Sequence, residues 1–393
     1  MSQRGLLGLV AALVVLAIVA LVAQHSGAPS SSEGAKLVPD LQSALNDIDK
    51  VTIVKAGGAT VATLERQPDA WVVAERSDYP ADVGKLRKNL VALAEARVLE
   101  EKTANPENYA RLGVQDMDED SAKGVAVSIE AANHKLPTLI IGDANGTKYR
   151  YVRRAGEAQS FLIDRNPDLP RNTPQWLAPS ILDVRSDRVQ QVTIRHRDGE
   201  TVVIEKPDRN AMNFDVHDVP DGRELLYPGV ANVIGNSLRE LKLQDVAAAD
   251  AAATSEQPDA QVEFRTFDGL VVDVRGVKDG ENNWVTFVAT FDPDQAKRFA
   301  PPPAAPGADA KATGEAKSAD DATDKAAPKT ASDAASDAAK PKSTPDVAAE
   351  AEDINRRVGK WRYQIATFQY DQMTRRMSDL LKPKEEPKKA PKK

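Results

Sequence analysis

Two stretches of this chain repeat one order of structural signals at a constant displacement, and that repetition limits the fold more than any single motif. Val51, Thr52 and Ile53 alternate as a strand does, Gly57 and Gly58 mark a turn, and Thr60 through Leu64 resume the alternation, which predicts a β-hairpin. Val192, Thr193 and Ile194 open the same pattern, with a turn at Asp198 and Gly199 and a second strand over Thr201 through Ile204. The displacements 192 − 51 and 199 − 58 both equal 141.

The segments after the two hairpins match as well. An aromatic strand residue, Trp71 or Phe214, leads to a Tyr-Pro pair at Tyr79 and Pro80 or at Tyr227 and Pro228. A helix is then predicted in each copy. In the first, Asp82 is placed to cap it, and Val83, Leu86, Leu90, Leu93 and Ala94 share one face. In the second, Val230, Ile234, Leu238 and Leu241 recur at the same spacing, with Ile234 displaced from Leu86 by 234 − 86, or 148.

Further strands are expected at 125–131, 139–142, 149–153 and 160–164 in the first copy, and at 261–267, 270–274 and 284–290 in the second. Residues 300–350 are Ala, Asp, Lys, Pro and Ser with almost no large apolar side chain. They cannot bury enough surface to fold and are expected to form a disordered insert. Trp361 through Ile365 would be the strand missing from the second copy, and short helical stretches are expected around 176–182 and 372–381.

Residues 5–23 form an uninterrupted apolar run about as long as the roughly 20 residues a spanning helix needs. Arg4 and the terminal amine precede it, so the positive-inside bias keeps residues 1–4 cytoplasmic and places the remainder on the periplasmic or extracytoplasmic side of the inner membrane. A cleaved signal peptide is the competing reading, but its apolar core usually spans only about 7–15 residues. The expected fold class is therefore α+β: an N-terminal transmembrane helix followed by two tandem repeats of antiparallel sheet with one main packed helix each. The expected order is a flexible linker over 24–44, a first unit over 45–185, a second over 186–383 with the insert at 300–350, and a charged tail over 384–393.

Composition narrows the chemistry. Lys and Arg number 52 against 59 for Asp and Glu, and the net charge of −7 disfavours a nucleic-acid partner. The lack of cysteine removes disulfides and thiolate chemistry, and His25, His134, His196 and His217 show no ligand spacing. Asp116, Asp118 and Asp120 alternate like the start of a calcium loop, yet Ser121 and Val127 stand where that loop needs Gly and Glu, so a solvated acidic loop is expected. Gly142 through Gly146 links two strands and reads as a hairpin turn rather than a phosphate loop.

Arg150, Arg153 and Arg154, set among Tyr149 and Tyr151, could meet an acidic partner, although a solvated strand face explains them better. His196 and His217 are expected to be surface or hydrogen-bonded side chains, and Trp71, Trp284 and Trp361 to fill the cores. No catalytic, cofactor-binding or metal residue is nominated.

The order of these pieces resembles a bacterial family, the domain of unknown function 4340. The likeness is carried by the hairpin from Val51 to Leu64, by Trp71-Val72-Val73, and by Tyr79-Pro80-Ala81-Asp82. Asn108 through Gly113, Leu139-Ile140-Ile141-Gly142 and Phe161-Leu162-Ile163-Asp164 complete it. The resemblance implies a single-span envelope protein associated with subunits of an ABC-type export system similar to the gliding-motility transporter. It implies no catalytic residues and no cofactor. The expected function is that of a non-enzymatic, membrane-anchored accessory component. A binding module for an envelope glycan or lipid, seated between the two units, is the alternative, and an envelope hydrolase has least support.

Overall fold

The computed structural model describes residues 32–249, 257–300 and 346–383. The run at 5–23, the body of the insert at 301–345 and the tail at 384–393 lie outside the described residues. No helix among the described residues is long and apolar enough to cross a membrane.

The chain is a mixed α+β protein of two compact units, and the boundary falls between Pro179 and Ser180 rather than at 185. Strand β10 (Ser180–Leu182) explains the shift, since it pairs with β14 (Leu241–Lys242), deep in the second unit's sequence. The helical stretch expected at 176–182 is instead the end of a 3-10 turn, Thr173–Trp176, followed by that strand.

The first unit is built on one antiparallel sheet. Its strands are β1 (Ile48–Lys55), β2 (Ala59–Arg66), β3 (Trp71–Val73), β4 (Tyr79–Pro80), β5 (Val98–Glu101), β6 (Val125–Ala131), β7 (Leu139–Asn145), β8 (Tyr149–Arg154) and β9 (Ser160–Ile163). They lie in the order β4-β3-β2-β1-β6-β7-β8-β9-β5. The second unit uses β11 (Val189–His196), β12 (Thr201–Glu205), β13 (Asp215–Val216), β15 (Asp245–Ala248), β16 (Ala260–Thr266), β17 (Leu270–Asp279), β18 (Asn282–Phe291) and β19 (Trp361–Ile365). Their order, β13-β12-β11-β16-β17-β18-β19-β15, is the same plan with one edge strand fewer. The two expected hairpins are β1–β2 and β11–β12, and β19 takes the place that β9 holds in the first sheet.

The helix Val83–Glu95 forms as its spacing predicts, with the Asp82 carboxylate accepting from the Lys85 amide at 2.9 Å and Leu86, Leu90 and Leu93 buried. Its expected counterpart in the second unit does not form. Val230, Ile234, Leu238 and Leu241 are all buried, but only Asn232–Gly235 is helical and Leu241 belongs to β14. Gly229 has φ +81°, and a Cβ on Gly235 would stand 2.4 Å from the Phe214 ring, so the backbone here follows a close approach rather than a continuous helix. The long helix of the second unit is Val347–Val358, which buries Val347, Ala351, Ile354 and Val358 on one face.

This helix also shortens the insert, because residues 346–350 are its cap and first turn, with Asp346 accepting from the Ala349 amide. Arg188 holds that end in place, donating to Asp268 at 2.9 Å and to both oxygens of Glu350 at 2.8 and 2.7 Å. Asn355 donates to the Ala289 carbonyl and accepts from its amide, so it satisfies a stretch of β18 that β19 does not reach.

The linker expected over 24–44 is likewise shorter than composition suggests. Leu37, Leu41 and Ala44 are fully buried, Leu41–Ala44 is a helical turn, and the Leu37 and Val98 amides donate to the Ala96 and Ala35 carbonyls. Four apolar side chains, Leu37, Val38, Leu41 and Ala44, are enough to dock this segment.

In the first unit a helical turn, Tyr109–Leu112, ends at Gly113 in the left-handed region, φ +67°. It presses directly on β7, since a Cβ on Gly142 would stand 2.2 Å from the Leu112 carbonyl oxygen. Two of the sequence motifs, at 108–113 and 139–142, thus meet backbone to backbone. Replacing Gly142 with Ala should destabilise the first unit by roughly 1–3 kcal/mol or more, whereas Gly84→Ala, whose Cβ would only touch Asp82 at 3.4 Å, should not. Urea unfolding of the two variants checks this difference.

Candidate functional site

The arginines singled out in β8 are structural. Arg153 is 3% exposed, its guanidinium stacks on Tyr109 at 4.4 Å, and it donates to the Val114 and Glu157 carbonyls at 2.9 and 3.0 Å and to Asp116 at 2.5 Å. Arg154 donates twice to the Leu37 carbonyl, and Arg150 donates to Asn166 and to the Gly142 carbonyl. None of the three forms a free basic strip. Asp116 is spent on Arg153, and no group of His, Asp and Glu able to hold a metal occurs among the described residues.

His217 is half-exposed and 3.2 Å from Glu205, as a surface histidine should be. His196 departs from the expectation: it is 9% exposed, and its Nε2 has no hydrogen-bond partner among the described residues. The tryptophans also differ from the prediction. Trp71, Trp284 and Trp361 are only half-buried in their strands, and the core tryptophan is Trp176, donating from Nε1 to the Pro170 carbonyl.

Two surfaces of the second sheet remain. The first is the face that holds Arg195, Gln261, Arg275 and Thr286, four residues directly opposite one another on β11, β16, β17 and β18. Residues paired in this way project to the same side of a sheet. Neither Arg195 nor Arg275 makes a hydrogen bond or ion pair among the described residues. The corresponding row of the first sheet is Val54, Ala126, Ile140 and Arg153.

That first row is covered by the β5–β6 connection, whose Tyr109, Val114 and Met117 pack on Ile140, Val54 and Ala126. The covering segment spans 102–124, which is 23 residues, whereas the β15–β16 connection spans 249–259, which is 11. On this row the second sheet carries polar side chains where the first carries a small apolar core. Burial raises the Asp273 carboxyl above its ordinary range on this face, and the neighbouring Glu263 charge adds to the effect.

The second surface is a cleft of about 680 Å³ on the opposite face of the same sheet, lined by His196, Asp259, Lys278, Tyr370, Arg375 and Arg376 among others. His196 and Ala260, both in its lining, stand opposite each other, and Ala260 pairs in turn with Gly276, where the first sheet has the buried residues Val125 and Ile141 opposite each other. Gly276 is required by Tyr370, whose ring would be 2.8 Å from a Cβ there. The Tyr370 hydroxyl is buried and unpartnered among the described residues, and so is Arg375 Nε. Burial pushes the Tyr370 phenol well above its ordinary range, so it stays a proton donor.

Sequence reading passed over Arg195, Arg275, Tyr370 and Arg375. The strand alternation places Arg195 and Arg275 outward, but it does not say which outward face stays uncovered. Arg153→Met should cost the first unit about 2 kcal/mol, because the carbonyls it serves lose their donor. Arg195→Met should cost less than about 0.5 kcal/mol as an exposed substitution. Chemical denaturation of both variants checks the contrast.

No curated protein and no solved structure matches the chain. A family model does match residues 71–261, from β3 through the start of β16. Over that stretch the chain is similar to the family described as a domain of unknown function, DUF4340.

Proposed function

We propose that this chain is a non-enzymatic, membrane-anchored envelope protein that serves as an accessory component of an ABC-type transport complex. The apolar run at 5–23 supports the anchor, and the transporter setting is what the family resemblance implies. The observation that carries an interaction role is the Arg195–Gln261–Arg275 row, a sheet face with two arginines unpaired among the described residues where the duplicate unit is closed over. Unpaired arginines at an accessible face favour contact with acidic groups of a partner.

Affinity purification of the full chain from detergent-solubilised membranes should recover an ATPase and a permease subunit, identified by mass spectrometry. Arg195→Glu with Arg275→Glu should reduce that recovery at least tenfold without changing the chain's own abundance. Repeated recovery of the unaltered chain alone would overturn the proposal.

A second reading, a binding module for an envelope glycan or lipid, is favoured by the cleft between Tyr370 and the His196 row. Its volume of about 680 Å³ lies in the roughly 300–1,000 Å³ range of small-molecule sites.

A further inference from the structure

We infer that a groove of the first unit, between the helix Val83–Glu95 and strands β1 to β3, binds an anionic phospholipid of the bilayer. The inference rests on the membrane-anchor reading of residues 5–23 and needs no transporter partner.

The groove holds about 610 Å³, and Trp71, Val83, Leu86 and Leu90 are among its apolar lining. Leu86 and Leu90 are buried, but Trp71 is only half-buried and Val83 is 47% exposed. Apolar surface thus stays in contact with water along the groove, and covering it with an acyl chain is favourable.

The charges in the lining are of one sign. Arg66 and Arg87 line the groove and no acidic residue does. Arg66 donates to the Asn46 carbonyl at 2.8 Å and has no ion pair among the described residues. Arg87 makes no hydrogen bond or ion pair among them, and its helical neighbours Val83, Gly84, Leu90 and Val91 are uncharged. Glu65 and Asp82, which precede Arg66 and Val83, pair with Lys50 at 3.3 Å and Lys85 at 3.8 Å. An apolar groove with two arginines and no carboxylate suits an acyl chain joined to a phosphate.

The duplicate unit has closed the same place. At the displacement of 148 that relates Ile234 to Leu86, Gly235 is the counterpart of Arg87, and Phe214 is that of Trp71 by the order of the strands. Phe214 is 4% exposed, its ring lies 2.4 Å from where a Cβ on Gly235 would stand, and Lys206 Nζ sits 4.7 Å over it. The second unit fills this position with its own chain, whereas the first keeps Trp71 and Arg87 at an open groove.

Placement names the source of the amphiphile. Leu45, which lines the groove, follows Ala23 by 45 − 23, or 22, positions, so at most about 75 Å of chain separates it from the apolar run. A site tethered so closely meets bilayer lipid at high effective concentration.

The test places the full chain in phosphatidylcholine vesicles containing equal mole fractions of either phosphatidylglycerol or phosphatidylcholine brominated on the acyl chains. Bromine quenches tryptophan fluorescence at close range, and the part of the quenching lost in Trp71→Phe belongs to Trp71. Brominated phosphatidylglycerol should quench Trp71 at least about threefold more than brominated phosphatidylcholine, and Arg87→Gln should weaken that response about fivefold. Val83→Glu should abolish the preference by placing an acid in the groove, while the helix tolerates it because acids are favoured in a first turn. Unchanged urea midpoints show that both variants fold.

Equal quenching by the two brominated lipids, or a preference that survives Arg87→Gln combined with Arg66→Gln, would overturn the anionic assignment. A chain that floats with the vesicles yet shows no quenching of Trp71 would overturn the lipid site and leave the anchor standing. A chain left behind by both kinds of vesicle would overturn the two together.

Discussion

Everything described in either unit depends on one non-local pairing, the antiparallel register between the first strand of each hairpin and a strand far along the chain. Val51 stands opposite Ile129 in the first sheet, and Val192 opposite Phe264 in the second. Because side chains alternate, a slip of one residue would exchange every core position with a surface position. Ile53 with Val127, and Ile194 with Val262, are buried pairs that hold the register by the apolar surface they remove from water.

The same alternation lets one strand serve two surfaces. Arg195 and His196 are neighbours in β11, yet the first belongs to the exposed arginine row and the second to the lining of the cleft. The duplicated plan has been used differently in its two copies. In the first, a 23-residue connection (102–124) lays Tyr109, Val114 and Met117 over one face, and Arg153 reaches up to satisfy its carbonyls. In the second, the corresponding row is the polar Arg195, Gln261, Arg275 and Thr286, and Gly276 on the other face makes room for Tyr370. Arg150, Arg153 and Arg154 of the first unit are thereby consumed by internal bonds, whereas Arg195 and Arg275 in the second make no hydrogen bond or ion pair among the described residues, although the Asp273 carboxylate lies within the field of Arg195.

Much of the fold was legible because its signals are local. The two hairpins, the helix Val83–Glu95 and the strand Trp361–Ile365 arise from short-range periodicity, turn glycines and a capping aspartate. The misreadings have a common origin. Val230, Ile234, Leu238 and Leu241 recur at helical spacing because all four are buried, and burial alone does not distinguish a helix from a compact succession of turns. The helix Val347–Val358 was hidden by its neighbourhood: its apolar face is four residues wide and directly succeeds a long Ala, Asp and Lys segment. The docked segment around Leu37 and Leu41 was likewise obscured by the Ser- and Gly-rich residues before it.

The amino-acid sequence alone determined the duplicated antiparallel plan and the strands that compose it, because alternation, turn residues and caps act over a few positions. The apolar run at 5–23 is equally plain in the sequence. Only the tertiary structure decided which polar residues are free to act. Arg153 and Arg195 look alike in sequence, yet one is buried under a connecting segment and the other is not. His196 and Tyr370 are 174 positions apart (370 − 196), and they line one cleft because strand register and the absence of a side chain at Gly276 bring them there. Burial and partner choice are set by residues distant in the chain, so no local pattern could have announced them.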